Sequence, residues 1–540
     1  MSSFYEAGVA KEDMTAFVPG VGMMGYGQPH NVVQEIGTKL WVRALFLKDE
    51  SGSPLLFIHC EQAFVTMAMK EEILQRIQTN HPDWKISDEN LVLSAQHTHA
   101  APGGYSHFAF YNLTISNFQT KVFEKIVSAS LLAAEGARKN LQKVTLSWGA
   151  VDISPDKEIA FNRSMKAYLN NPEAPKIKEE EKLLGLDRRM QGLLIKNSEG
   201  KLLAHLNWFG VHCTNVSSYN TRTHHDNKGV AALLFEKNYP GALAFFFQST
   251  AGDVSPNFIW DKKTKLMRGK FTDQYDNAEF NGEIQFREAE RIEGKLPVSG
   301  KFETILNYVD MGKRAAAPAH GLAFFRGTLE GPGITAGLAS VLRITSRIRR
   351  AIDCVRSPEC REFYLKHGIK DVVIDHRNGS FVGIPLSFWK WLPVVPSHPV
   401  NVFQETAKSG GLKTLPWIPS VIPFQLIRLG NILIAALPGE ITTMAGRRVK
   451  EMLEKEFQGC GVDQVIIHSY CNAYMGYITT AEEYDVQSYE GGHNVYGRTS
   501  LDALLASYKE LVHSLKGEPC EVEKATPLRF SSEELKLRSV

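Results

Sequence analysis

Leu91-Val-Leu-Ser-Ala-Gln-His97-Thr-His99-Ala-Ala-Pro-Gly-Gly104 decides how this chain is read. A short apolar run ends in two histidines one residue apart, followed at once by a Pro/Gly loop. In an extended chain, side chains at i and i+2 point the same way, so His97 and His99 are expected to face one site from a strand tip. Neutral imidazole is the commonest zinc ligand, and of two neighbours one could bind metal while the other moves protons. Two solvated histidines on a polar loop are the plain alternative, and the doublet alone does not choose between them.

Working outward, Gly20-Val-Gly-Met-Met-Gly-Tyr-Gly27 fits no phosphate-loop spacing and either turns or brings backbone close to a ligand. Residues 39–48 and 54–60 read as a strand pair around Glu50-Ser-Gly-Ser53. Met69 to Gln78 and Phe118 to Lys139 have helical apolar spacing. Residues 153–190 are charge-rich and read as a surface excursion that carries Phe161-Asn-Arg-Ser164. One arrangement then recurs four times, each a β-rich run followed by a reactive side chain. Residues 202–209 lead to His212, 242–248 to Asp253 and Ser255, 431–437 to Glu440, and 464–469 to Cys471-Asn-Ala-Tyr-Met-Gly-Tyr477. Sheets fix geometry and leave the following loops free to vary, so sites gather at strand ends. Helices are expected near 229–237, 440–457 and 500–516, the last capped by Ser500, and Glu440 is expected in a first helical turn, where the dipole favours its charge.

The pattern predicts a mixed α/β fold, with a layered β-sheet core flanked by helices in a single large catalytic domain over 1–516 and a short polar tail over 517–540. A balance of 61 basic and 59 acidic residues provides no global field for nucleic acid, so no nucleic-acid partner is expected. No run of about 18 apolar residues predicts a transmembrane segment. The start lacks the pattern of a signal peptide and the seven cysteines are scattered, which predicts a cytoplasmic protein; Cys354 and Cys360 could close a loop if it were exported. Phe381-Val-Gly-Ile-Pro-Leu-Ser-Phe-Trp-Lys-Trp-Leu-Pro-Val-Val395 is apolar but broken by prolines, and reads as core or as a lip touching lipid at a membrane surface.

The chain resembles the neutral (non-lysosomal) ceramidase family. The resemblance rests on an ordered set of matches: Met24-Gly-Tyr26, His97-Thr-His99, Asn162-Arg-Ser164, Asn207-Trp-Phe209 with His212, and Gly252-Asp-Val-Ser-Pro-Asn257. It continues with Gly331-Pro-Gly333, Leu437-Pro-Gly-Glu-Ile-Thr-Thr-Met444, and Tyr477-Ile-Thr-Thr480 with Glu482-Glu-Tyr484. The resemblance implies a zinc amidase that cuts the N-acyl bond of ceramide or a similar N-acyl lipid, with one Zn2+ on His97, His212, Glu440 and Tyr477. It also implies His99 as proton carrier, Ser255 as nucleophile or carbonyl-orienting group, and Arg163 on the substrate head or oxyanion. Tyr489 is a weaker candidate for the same work as Arg163, with Tyr484 as its rival. Members typically carry a signal peptide when secreted, continue into an immunoglobulin-like sandwich, and have Ser-Gly where this chain has Ala100-Ala101. A zinc hydrolase of another amide or ester, and a non-catalytic lipid-binding protein on the same scaffold, are the alternatives.

Overall fold

A computed structural model describes residues 5–28, 30–115, 117–385, 408, 412 and 414–539. The apolar runs form strands, and their two-residue period sorts side chains onto opposite faces. Along Trp41–Lys48, Val42, Ala44 and Phe46 pack against one core while Leu45 and Leu47 pack against another. Leu91 and Leu93 join the first core and Val92 the second. Strands buried on both faces read as continuous hydrophobic runs, which is why the stretch before His97 shows no alternation.

The larger sheet runs, in spatial order, Leu243–Phe247, Leu202–Trp208, Arg189–Asn197, Gln142–Asp152, Tyr5–Asp13, Trp41–Lys48, Pro54–Cys60 and Leu91–Ala95, with Leu296–Pro297 beside Gln142–Asp152. A second sheet orders Phe302–Asp310, Val421–Leu429, Ile432–Ala436 and Gln464–His468. Ile427, Leu429, Ile432, Ile434 and Ile466 of the second sheet share a core with Leu45, Phe57, Leu206 and Phe245 of the first. On its other face, Phe424, Leu426, Leu433 and Ile467 pack against Val449 and Leu453 of the Thr443–Glu456 helix and Leu504 and Tyr508 of the Ser500–Leu515 helix. The Met67–Asn80 and Thr120–Lys139 helices cover the outside of the first sheet. The result is one mixed α/β domain of four layers, helices–sheet–sheet–helices.

Several expectations change on contact with the structure. The segment 153–190 is not a pure surface excursion: Ile159, Ala160, Phe161, Asn162 and Met165 are buried, because Asn162 Nδ2 donates to Asp253 at 2.6 Å and ties the loop inward. Thr499 precedes the last long helix, and Ser500 lies inside it, donating to Asn494 at 2.6 Å instead of capping. Of the 517–540 segment, the described residues dock on the body: a helix spans Ser532–Arg538, and buried Arg538 donates to the carbonyls of His107 (3.0 Å) and Thr414 (2.9 Å). Cys354 and Cys360 are free thiols. Of the apolar segment 381–395, only 381–385 belong to the described residues and the rest lies outside them. No described helix is long and apolar enough to cross a membrane.

The loops leaving five strand ends meet. Thr98 pairs with Cys213 and Ser94 with Cys471 in isolated bridges, and Gln248 Nε2 donates to both Gln96 O (2.8 Å) and Val211 O (2.7 Å). Gly252 N reaches Ile441 O at 2.9 Å. This knot of loops holds the histidines.

Candidate active site

His97 does not sit on an extended strand. The strand ends at Ala95, and His97 takes φ 82°, a left-handed conformation rare for a residue with a side chain. Two bonds hold it there: its N–H to Gln62 O at 2.9 Å, and Nδ1 to Ala63 O at 2.6 Å. The kink, not an i, i+2 alternation, turns His99 back so that its Nε2 lies 3.1 Å from His97 Nε2. His212 repeats the device, with Nδ1 2.9 Å from Val254 O. A carbonyl only accepts, so each Nδ1 carries the proton and each Nε2 keeps its lone pair.

Both lone pairs face the same carboxylate. Glu440 Oε2 is 3.1 Å from His212 Nε2 and 3.5 Å from His97 Nε2, and all three side chains are buried. Glu440 is not in a helix, since the helix starts at Thr443 after a Thr442 cap. It lies on the two-residue strand Glu440–Ile441, paired in parallel with Tyr477–Ile478, so that Glu440 stands beside Tyr477. Tyr474 donates to Oε1 at 2.5 Å, while no donor is aimed at Oε2. Three lone-pair atoms, all within 4.8 Å of one another and shut away from water, repel unless a cation lies between them. The donor set, two imidazoles and a carboxylate with further positions open, fits zinc. Tyr477 Oη, 3.2 Å from His212 Nε2, offers a fourth oxygen and accepts from Arg163 Nη2 at 2.9 Å.

These groups form one wall of a cavity of about 400 Å³ lined by Phe64, Phe110, Tyr111, Phe324, Phe325 and Tyr474 together with His97, His99, His212, Arg163 and Tyr489. Arg163 is held by Glu490 (Nε to Oε1, 2.8 Å) and Gly252 O (3.0 Å). Tyr489 faces the cavity, whereas its rival Tyr484 points elsewhere and donates to His367 O at 3.0 Å. Ser255 is fully buried; its hydroxyl donates to Glu330 and accepts from Asn257 N at 3.0 Å. Glu330 lines the cavity, and its other oxygen, Oε2, is buried without a partner.

A family model for the N-terminal region of neutral/alkaline non-lysosomal ceramidases matches residues 5–341 and 401–506. The chain belongs to that family. Among its relatives, the neutral ceramidase of Pseudomonas aeruginosa is 29% identical over 534 residues, covering 97% of this chain and 74% of that protein. Neutral ceramidase A of Dictyostelium discoideum is 28% identical, covering 95% and 73%. Among solved structures, a ceramidase complexed with C2 superposes with a TM-score of 0.80 at 27% identity, over 98% of this chain and 78% of that one. The crystal structure of the Pseudomonas aeruginosa neutral ceramidase superposes with a TM-score of 0.76 at 26% identity. As a ceramidase-family member, this chain is an amidohydrolase.

Within this ceramidase-family site, the structure brings together every candidate named in the sequence except Tyr484, which points elsewhere, and Ser255, which stands one hydrogen bond behind the cavity wall. Three groups were missed: Tyr474, Glu330 and Glu490. Tyr474 lies inside the quoted 471–477 stretch, and a phenol three residues from Tyr477 was a signal that could have been used. The glycine-rich 20–27 segment also resolves. Gly25 has φ 132°, and a β-carbon there would overlap the His99 imidazole. Gly25→Ala is expected to displace that ring and cut turnover about tenfold to a hundredfold with metal content unchanged. Loss of metal together with activity would mean that the glycine supports the ligands instead.

Proposed function

We propose that this chain hydrolyses the N-acyl bond of ceramide, releasing sphingosine and a fatty acid, with one zinc ion held by His97, His212, Glu440 and Tyr477. The observation that carries the reading is the convergence of two proton-free Nε2 atoms and an unpartnered carboxylate oxygen on the wall of an aromatic cavity. Zinc bound there supplies a Lewis acid that polarises the amide carbonyl and acidifies water. The protein's own groups do the rest. Arg163, fixed by Glu490 and Gly252, presents a positive charge to the oxygen on which the amide develops negative charge. His99 faces the same cavity beside His97 and carries the proton to the departing amine. Tyr489 borders the substrate space next to Tyr477, with ring centroids 5.5 Å apart. The aromatic lining excludes water and takes the hydrocarbon of an N-acyl lipid.

Ser255 acts with Glu330. Its hydroxyl donates to the Glu330 carboxylate, which both fixes Glu330 and leaves the serine oxygen next to a base. Ser255→Ala is expected to lower kcat about 100-fold while zinc content stays the same. If more than a tenth of the activity survives, Ser255 has only a packing role.

The proposal is tested by measuring zinc in the purified protein and turnover of a panel of N-acyl amides and esters that varies acyl length and head group. About one zinc per chain is expected, with long-chain N-acyl sphingosine cleaved fastest and activity falling as the chain shortens. Zinc with turnover confined to short amides or esters would reassign the substrate. Lipid binding without turnover of any member would make this a binding protein on the same scaffold.

A further inference from the structure

Residues 342–400 fall outside the family match, and the region they open carries an unusual surface. The helix Ala336–Arg356 starts at Thr335, whose side chain caps Leu338 N, immediately after Pro332, Gly333 and Ile334 on the cavity wall. Its inner face is narrow: Ala339 and Leu342 pack with Leu322 and Val373, and Ser346 is also buried. Its outer face is apolar. Val341, Ile344, Ile348, Ile352 and Val355 are between 40% and 83% exposed. At about 100° per residue, those five side chains lie in a sector roughly 80° wide, turned away from the buried face.

Single exposed apolar residues are ordinary, but a continuous stripe over four turns is not. The charged residues bordering the stripe carry one sign. The helix has five arginines, Arg343, Arg347, Arg349, Arg350 and Arg356, against Asp353 alone. Arg347 also pairs with Asp371 at 2.8 Å, and Arg349 with Asp353 at 2.6 Å. By the same angular count, Arg347 borders one edge of the stripe and Arg349 and Arg356 the other, while Arg343, paired with Asp371 at 3.5 Å, and Arg350, donating to the Gly368 carbonyl, stand farther round the helix. A second protein could cover an apolar stripe, but cations along both edges match the anionic surface of a bilayer, where the stripe sinks below the headgroups and the guanidinium groups stay level with them.

We propose that the Ala336–Arg356 helix is a membrane-docking face that lays the cavity mouth against an anionic lipid surface. A substrate with long hydrocarbon chains then passes from bilayer to cavity without crossing water. The inference rests on the lipid-amide reading only for its purpose; the docking chemistry belongs to the helix itself.

The test uses the full chain and sedimented vesicles containing no ceramide. Vesicles with roughly one-third phosphatidylglycerol in phosphatidylcholine are expected to carry the protein down, and added salt to weaken the binding. Ile344→Asp with Ile348→Asp is expected to weaken that binding more than tenfold, each change removing a side chain from the apolar phase and adding a charge. Arg347→Gln with Arg356→Gln, one from each edge, is expected to weaken it on anionic vesicles only. Both double variants should keep the unfolding midpoint and the turnover of a soluble short-chain amide. Lack of wild-type binding to anionic vesicles, or binding that survives the isoleucine substitutions, overturns the proposal. A wild-type dimer that the same substitutions split, with no vesicle binding, gives the face to a second copy and overturns it too. Because binding is read without substrate, it can fail while amidase activity stands, and the reverse.

Discussion

His212→Ala is expected to leave the purified chain with less than a tenth of its zinc and to lower turnover about a thousandfold or more. The reasoning starts from the hydrogen bond on the far side of the ring. Val254 O takes the Nδ1 proton, so His212 presents a fixed lone pair to the point faced by His97 and Glu440. Alanine removes one of three convergent donors and leaves Glu440 Oε2 with His97 at 3.5 Å. Glu440→Gln is the companion. It keeps an oxygen to accept from Tyr474 but removes the negative charge, so zinc affinity should fall about a hundredfold or more while the fold persists. Inductively coupled plasma measurement of zinc beside circular dichroism checks both. A folded His212→Ala protein with full zinc would move the metal elsewhere.

The second large effect is on stability. Arg43 is 1% exposed on a central strand, and its guanidinium reaches Glu61 at 2.6 Å and Glu236 at 2.7 Å. Glu61, itself fully buried, also accepts the Trp41 N–H at 2.9 Å. Burying such a cluster costs desolvation that only complete pairing offsets, so removing one member hurts more than the cluster is worth. Glu61→Ala should destabilise the fold by about 3–5 kcal/mol, and Glu61→Gln by roughly half as much, because it keeps an acceptor for Trp41. Urea unfolding reads the difference, and a loss below about 1 kcal/mol would mean that Glu236 alone already satisfies Arg43 without Glu61. Gln62, the next residue, accepts the His97 N–H, so this loss should also loosen the candidate metal site.

Legibility in the sequence followed the range of the interaction. Helices such as Met67–Asn80 and Thr120–Lys139 were visible because their buried residues repeat within the window that forms them. His97, His212 and Glu440 were findable because each follows an apolar run by a few residues, whereas Tyr477 was reached only through the family pattern. What stayed hidden depends on partners far along the chain. Pro-Gly before Glu440 suggests a helix start, but a pairing with Tyr477, 37 residues later, captured it as a strand. Glu330 has no local signature; its place comes from Ser255, 75 residues away. The outward stripe of the Ala336–Arg356 helix shows a subtler limit. Period marks which residues share a face, while only packing tells which face looks outward.

The parallel pair of Glu440 and Tyr477 also sets a schedule. His97 and His212 leave the ribosome early, but the chain must grow a further 380 residues beyond His97 before Tyr477 emerges. At about 5–20 residues per second, His97 waits roughly 20–75 s for the phenol, and His212 about two-thirds as long. A nascent chain therefore carries half of the candidate cation site, and the centre cannot close, until Tyr477 has emerged.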